Sequence, residues 1–95
     1  MKEGDVCVTV KNRSGQNVRE LTLSHQQGKI TIADLANYRN VNLAFNSFGE
    51  GMYKIKVVFD NGKTINNHGV YVEAGYRRTE IIKLDTIESK PITLY

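Results

Sequence analysis

The sequence predicts an all-β fold, an antiparallel β-sandwich of Ig-like architecture without the disulfide, built from seven or eight short strands. Three observations carry that expectation. Short runs of alternating apolar and polar residues recur along the chain, separated about every 8–12 residues by turn-forming clusters. The clearest run sets Tyr53, Ile55, Val57 and Phe59 against Lys54, Lys56, Val58 and Asp60, the period of two that marks a strand with one buried face. The one stretch with helical spacing, residues 33–40, is too short to hold a helix by itself.

The run at 53–59 anchors a central hairpin. Asn61-Gly62 is the preferred pair for a two-residue type I′ turn, whose central positions both need φ > 0. The return strand spans Lys63 to about Ala74. In that register Asp60 faces Lys63, a favourable cross-strand pair, and Phe59 faces Thr64. Val57 then faces Asn66 and Ile55 faces His68, which puts polar residues on the apolar face. A β-bulge at Gly69 shifts the parity and lets Val70 and Val72 restore that face.

From the start of the chain, Lys2 to Asp5 is a polar lead-in, and Asp5–Lys11 is a strand with Val6, Val8 and Val10 buried. Asn12-Arg13-Ser14-Gly15 is a turn by composition, with Gly15 at the φ > 0 position, and it joins a second strand, Val18–Ser24, into a first hairpin. Leu21 and Leu23 face inward there. Asn12-Arg13-Ser14 also matches the N-glycosylation pattern, which matters only in a secreted chain. A polar turn at His25–Gly28 leads to a short third strand, Lys29–Ile32, with Ile30 and Ile32 inside. Residues 33–40 form one or two helical turns that cross between the sheets. A fourth strand follows, with Val41, Leu43 and Phe45 alternating inward. Residues 47–51 are a glycine-bracketed loop. After the hairpin and a turn at Gly75–Arg78 comes Thr79–Leu84, with Ile82 and Leu84 inside. Asp85–Lys90 is a polar linker, and Ile92–Tyr95 a short edge strand beside Pro91.

Ninety-five residues make one domain, large enough to bury a core without staples. The lone Cys7 excludes an intrachain disulfide and reads as a quiet strand thiol. No apolar run reaches the ~18 residues of a membrane span, and no signal-peptide core is present. That points to the cytoplasm. A periplasmic or secreted domain fits equally if a signal peptide was removed before Lys2. The net charge of +3 falls short of a nucleic-acid signature.

Catalysis needs a nucleophile, a base and an orienting group brought together. Ser24 and His25 are neighbours that point opposite ways on a strand, and nothing in the spacing brings His68, Cys7 and a carboxylate together. Two histidines without a local second ligand are no zinc pattern, and Asp60-Asn61-Gly62 lacks the later glutamate of a calcium loop. No cofactor is implied. Lys54, Lys56 and Lys63, with Tyr71 and Tyr76, leave room for a small oligonucleotide-binding module, although lysines on a solvent face also guard a sheet against edge pairing. A carbohydrate module would have five tyrosines and no tryptophan to work with. Protein recognition asks least of the chain, since tyrosine and arginine dominate interface hot spots. Two patches qualify: Asp34, Tyr38, Arg39 and Asn40 in the crossover, and Tyr71, Glu73, Tyr76, Arg77 and Arg78 after the central hairpin.

The segments VTVKNRSGQNVRELTLS and YKIKVVFDNGKTINNHGVYV resemble a group of small bacterial β-sandwich proteins. There a strand ends in an Asn-x-Ser/Thr-Gly turn, and a later strand runs into an Asp-(Asp/Asn)-Gly turn. Some of these are similar to immunity proteins, which bind and neutralise one cognate toxin. The resemblance implies a non-enzymatic inhibitor that covers a toxin's active site, and it carries no residue roles. Immunity proteins against nucleases are commonly acidic. The net basic charge here either points to a toxin with an acidic face or counts against the likeness. The alternative expectation is an accessory adhesion domain whose edge strand pairs with a neighbour in an extracytoplasmic assembly.

Overall fold

Val6, Val8 and Val10 are all fully buried, and their neighbours Cys7, Thr9 and Lys11 look outward. That alternation, repeated strand by strand, builds two sheets with one core between them. The structure is a computed structural model and describes residues 5–46, 50–67, 69–73 and 75–91. Its nine strands are β1 (Asp5–Asn12), β2 (Val18–His25), β3 (Gly28–Leu35), β4 (Asn40–Asn46), β5 (Glu50–Phe59), β6 (Thr64–Asn66), β7 (Val70–Glu73), β8 (Arg77–Ile82) and β9 (Ile87–Pro91). One sheet runs β4-β1-β8-β9. The other runs β3-β2-β5, with β6 and β7 sharing the far side of β5. The architecture is the expected all-β sandwich. The expected lead-in before Asp5, residues 47–49 of the expected loop at 47–51, His68, Ala74 and the edge strand at 92–95 lie outside the described residues, whereas Glu50 and Gly51 of that loop open β5.

Two local expectations about the first half need correction. β1 and β2 do not form a hairpin: they belong to different sheets, and residues 13–17 carry the chain across. β1 pairs antiparallel with β4 and parallel with β8. Alternation is the same whether a strand folds back beside its neighbour or crosses over, so the pattern could not separate the two cases. The stretch at 33–40 does cross between sheets, but without helical turns. Ala33, Asp34 and Leu35 complete β3, and a tight turn at 36–39 starts β4. Asp34 and Tyr38 both take positive φ, 57° and 67°, which bends the chain sharply enough to need no helix.

The central hairpin forms with a different turn. Phe59 faces Lys63, exchanging a hydrogen bond of 2.9 Å, and the loop holds three residues, Asp60, Asn61 and Gly62. Gly62 has φ 88°, whereas Asn61 is not among the positive-φ residues. This is a turn closed by a glycine bulge rather than type I′. The extra residue slides the return strand by one position, so Val57 faces Ile65 and not Asn66. Ile65 is thereby buried and Thr64 exposed. The expected Asp60–Lys63 pair is absent; Lys63 pairs with Asp85, and Asp60 accepts from the Asn17 amide at 2.9 Å.

The parity shift expected near Gly69 is present. Lys56 faces Asn66, yet Tyr53 faces Val70, so one extra residue lies between β6 and β7. A second bulge sits in β2, where Val18 faces Phe59 but Glu20 faces Val58. It lets Val18 and Leu21 both point inward across two exposed residues.

Further on, Leu84 is 47% exposed and not in the core. Counting back from Ile82 by twos explains what replaces it: Glu80, fully buried, faces inward on β8. Ile30 and Ile32 only pack against the core, because β3 is an edge strand. The polar stretch after Asp85 is not a linker. Ile87–Pro91 pairs with β8, putting Ser89 opposite Glu80.

Candidate functional site

Registers place the two anticipated patches at opposite ends of the sandwich. Cys7 pairs with Arg77 and Asn12 with Ile82, so Tyr76–Arg78 lie at the beginning of β1 and the 36–40 crossover at its end.

At the crossover end, the buried Asn12 holds three segments together. Its Nδ2 donates to the carbonyls of Gln16 (2.8 Å) and Leu35 (2.9 Å). Its Oδ1 accepts from the Ser14 amide (3.1 Å) and hydroxyl (2.7 Å). Its backbone bonds Tyr38 and Arg39. With Nδ2 engaged twice in the interior, no glycan fits there on the folded chain. Arg13 donates to Asn40 Oδ1 at 3.0 Å and lies 5.7 Å from the Tyr38 ring centroid. Tyr38, Arg39, Asn40 and Asp34 are exposed, with Asp34 on the final bend of β3. This patch is brought together around Arg13, which engages Asn40 and lies by the Tyr38 ring.

The other end has a concave surface. β7 and β9 are the edges of facing sheets, and where they splay they leave a cleft of about 550 Å³, open along one side. Asn67, Gly69, Val70, Tyr71, Tyr76, Arg78, Ile87 and Ser89 line it. Tyr71 and Tyr76 stand at its mouth, 46% and 38% exposed, edge to face at 6.5 Å. The Tyr71 hydroxyl donates to Glu73 Oε1 at 2.7 Å, two residues along the same face. Tyr76 is fixed from behind: Gly75 turns the chain at φ 87°, Tyr76 N–H donates to the Glu73 carbonyl, and the Tyr76 carbonyl accepts from Cys7 N–H. Exposed Met52, opposite Tyr71 on β5, lies over Gly69, where a Cβ would overlap its methyl group. A side chain at this bulge would therefore displace the flexible end of Met52.

The polar floor follows from the bulge. At the break between β6 and β7, Asn67 turns inward. Its N–H donates to the Ile55 carbonyl at 3.0 Å, and its Oδ1 accepts from Ile55 N–H at 2.6 Å, replacing the lost ladder bond. Its Nδ2 donates to Glu80 Oε1 at 3.0 Å. Ser89 Oγ donates to the same oxygen at 2.5 Å, and the Tyr53 hydroxyl donates to Oε2 at 2.8 Å. Glu80 is thus a fully buried carboxylate with three donors, the condition under which such burial is tolerable. Burial first, and then the Glu80 charge, push the Tyr53 hydroxyl far above the ordinary phenol range, while Arg78 beside it pulls weakly the other way.

Of the residues expected at this end, Tyr71, Tyr76 and Arg78 meet in the cleft, and Glu73 supports Tyr71. Arg77 does not join them. It looks out from the opposite face of β8, beside a hollow of about 320 Å³ with Cys7, Thr9, Asn42, Leu43 and Ala44. Adjacent strand residues point opposite ways, so Arg77-Arg78 could not act as one cationic patch. Asn67, Glu80 and Ser89 escaped the sequence reading. The signal for Glu80 was the same alternation that placed Ile82 inside; Ser89 had none, because its strand reads as a polar linker.

Among the described residues no group of three or more His, Cys, Asp or Glu side chains is placed to hold a metal ion, and no helix is long and apolar enough to cross a membrane. No family model matches the chain, and no curated protein matches it. An NMR structure of a protein from Eubacterium rectale has a similar fold, with a TM-score of 0.75 over 97% of this chain and 94% of that one at 13% identity. At that identity the likeness extends to the fold alone.

Proposed function

We propose that this chain is a non-enzymatic protein-binding sandwich that inhibits one partner by covering its active site, as an immunity protein covers a toxin. The observation that carries the binding role is the Tyr71–Tyr76 pair at the mouth of the cleft. Two large, half-exposed aromatic rings are held by a clamped turn and an edge strand, beside exposed Met52. Aromatic side chains on a rigid base give contact area at little cost in conformational entropy, which is what interface hot spots require. The inhibitory role rests on the resemblance of the two strand-turn segments to immunity proteins, and its mechanism is steric and electrostatic occlusion.

The test is co-expression with the product of the neighbouring reading frame, scoring growth and stoichiometric co-purification. The expected result is that this chain relieves growth arrest. Tyr71→Ala combined with Tyr76→Ala should weaken the complex by about 30-fold or more while leaving the thermal midpoint of the free protein nearly unchanged. A neighbouring product that is neither toxic nor retained, or a complex indifferent to both substitutions, defeats the reading.

A further inference from the structure

Arg78 has an unexplained donor. Its Nε is buried and has no hydrogen-bond partner. Almost every buried polar group in a folded protein is paired, and an unpaired cationic donor costs more than a neutral one, so its position calls for a reason. Glu80 does not provide it. Its two oxygens already accept from Tyr53, Asn67 and Ser89, and among the described residues the ion pairs within 4.0 Å are Lys63–Asp85 and Lys90–Glu88. The cross-strand neighbours of Arg78 are Val8 and Pro91, neither of which offers a side-chain acceptor. The guanidinium lies beside the Tyr53 hydroxyl on its inner side, yet its Nε has no partner there, and the side chain lines the cleft.

The rest of the cleft says what would satisfy it. Tyr71 and Tyr76 form one wall, and Val70 and Ile87 supply apolar surface beside them. A volume of about 550 Å³ is within the range of small-ligand pockets and takes two side chains, not a folded element. A planar guanidinium matches a carboxylate through two parallel N–H···O bonds, and partial burial strengthens that pairing over its value in water.

We propose that the cleft between β7 and β9 is a carboxylate-recognition site, in which Arg78 binds an acidic side chain of the partner protein while Tyr71 and Tyr76 pack an adjoining apolar residue. The inference deepens the protein-binding reading and rests on it for the source of the carboxylate. It also gives the net basic chain a specific point of contact for an acidic partner face.

The test titrates the intact protein with acetyl-Phe-Glu-amide and follows the Arg78 Nε–Hε resonance and the Tyr71 and Tyr76 ring protons by NMR. Acetyl-Phe-Gln-amide and acetyl-Phe-Gln with a free C-terminus serve as comparisons. Saturable shifts at all three residues with the glutamate peptide are expected, with affinity at least about tenfold above that of the neutral peptide. Arg78→Lys should weaken the response and Arg78→Gln abolish it, each with an otherwise unchanged spectrum. Equal response to glutamate and neutral peptides overturns the proposal, as does an Arg78 Hε signal that does not move by about 10 mM peptide. A response to the free C-terminus alone replaces the side-chain source by a chain terminus and overturns the proposal in that respect. Because the probes need no natural partner, a silent titration with a captured partner defeats the cleft only. A responsive titration without a partner defeats the inhibitor reading only.

Discussion

Asn12 shows how much of this fold one side chain can hold. Its amide satisfies the carbonyls of Gln16 and Leu35, its oxygen closes the turn onto Ser14, and its backbone clips the 36–39 turn. Removing the side chain strands the buried Leu35 carbonyl and the buried Ser14 amide together, while Ser14 Oγ still reaches the Gln16 carbonyl, and each stranded group costs about 1–3 kcal/mol. Asn12→Ala should therefore destabilise the protein by about 3 kcal/mol or more in urea unfolding, whereas Asn17→Ala, at an exposed bond, should change it by less than about 0.5 kcal/mol. Similar costs for the two variants would show that the Asn12 bonds do not organise the crossover. The sequence marked Asn12 as a turn residue. Its burial follows from two crossovers meeting above it, which no local pattern encodes.

At the level of elements, the β5–β6 hairpin depends on one extra loop residue. A two-residue turn would place Thr64 and Asn66 in the core; the three-residue loop places Ile65 there instead. The two registers make opposite demands on stability, since slipping a strand by one residue exchanges its faces. Ile65→Ala should cost about 2–4 kcal/mol, and Thr64→Ala and Asn66→Ala within about 0.5 kcal/mol of nothing. A larger loss at Asn66 than at Ile65 in denaturant melts would return the hairpin to the shorter turn. Asn61-Gly62 correctly located the turn, but the same dipeptide serves both loop lengths. The choice falls to Ile65, which gains a buried site only in the longer one. The bulge before Val70 offsets that extra loop residue: without it, the longer loop would turn both β7 valines toward water.

For the molecule as a whole, the contact of interest is the one that spans both sheets. Tyr53 on β5 donates to Glu80 on β8, and Asn67 and Ser89 complete the same carboxylate from either edge. Tyr53→Phe removes a bond to a charged acceptor and should cost about 1.5–3 kcal/mol near neutral pH. The folded protein keeps the Tyr53 proton far above the ordinary value near 10, whereas the unfolded chain releases it there. The stability contributed by that retained proton is complete below pH of about 10 and declines above it by about 1.4 kcal/mol per pH unit. The advantage of the native chain over Tyr53→Phe should therefore narrow as pH rises from about 10 to 11 in chemical unfolding. An advantage that stays constant across that interval would mean that Tyr53 titrates normally and that Glu80 is held by other means. The same bridge braces the cleft floor, so loosening it should also weaken binding at Arg78.

Taken alone, the sequence determined which residues turn inward on most strands, the centre of the main hairpin, the bulge beside Gly69 and the all-β class. These are readable because side-chain alternation and turn chemistry act over a few neighbouring residues. Only the tertiary structure decided that β1 lies parallel to β8, that a polar stretch becomes β9, that Arg77 and Arg78 part company, and that Glu80 finds three donors. Each of those depends on which distant strand lies alongside, and two strands with the same alternation are interchangeable until both sheets are packed.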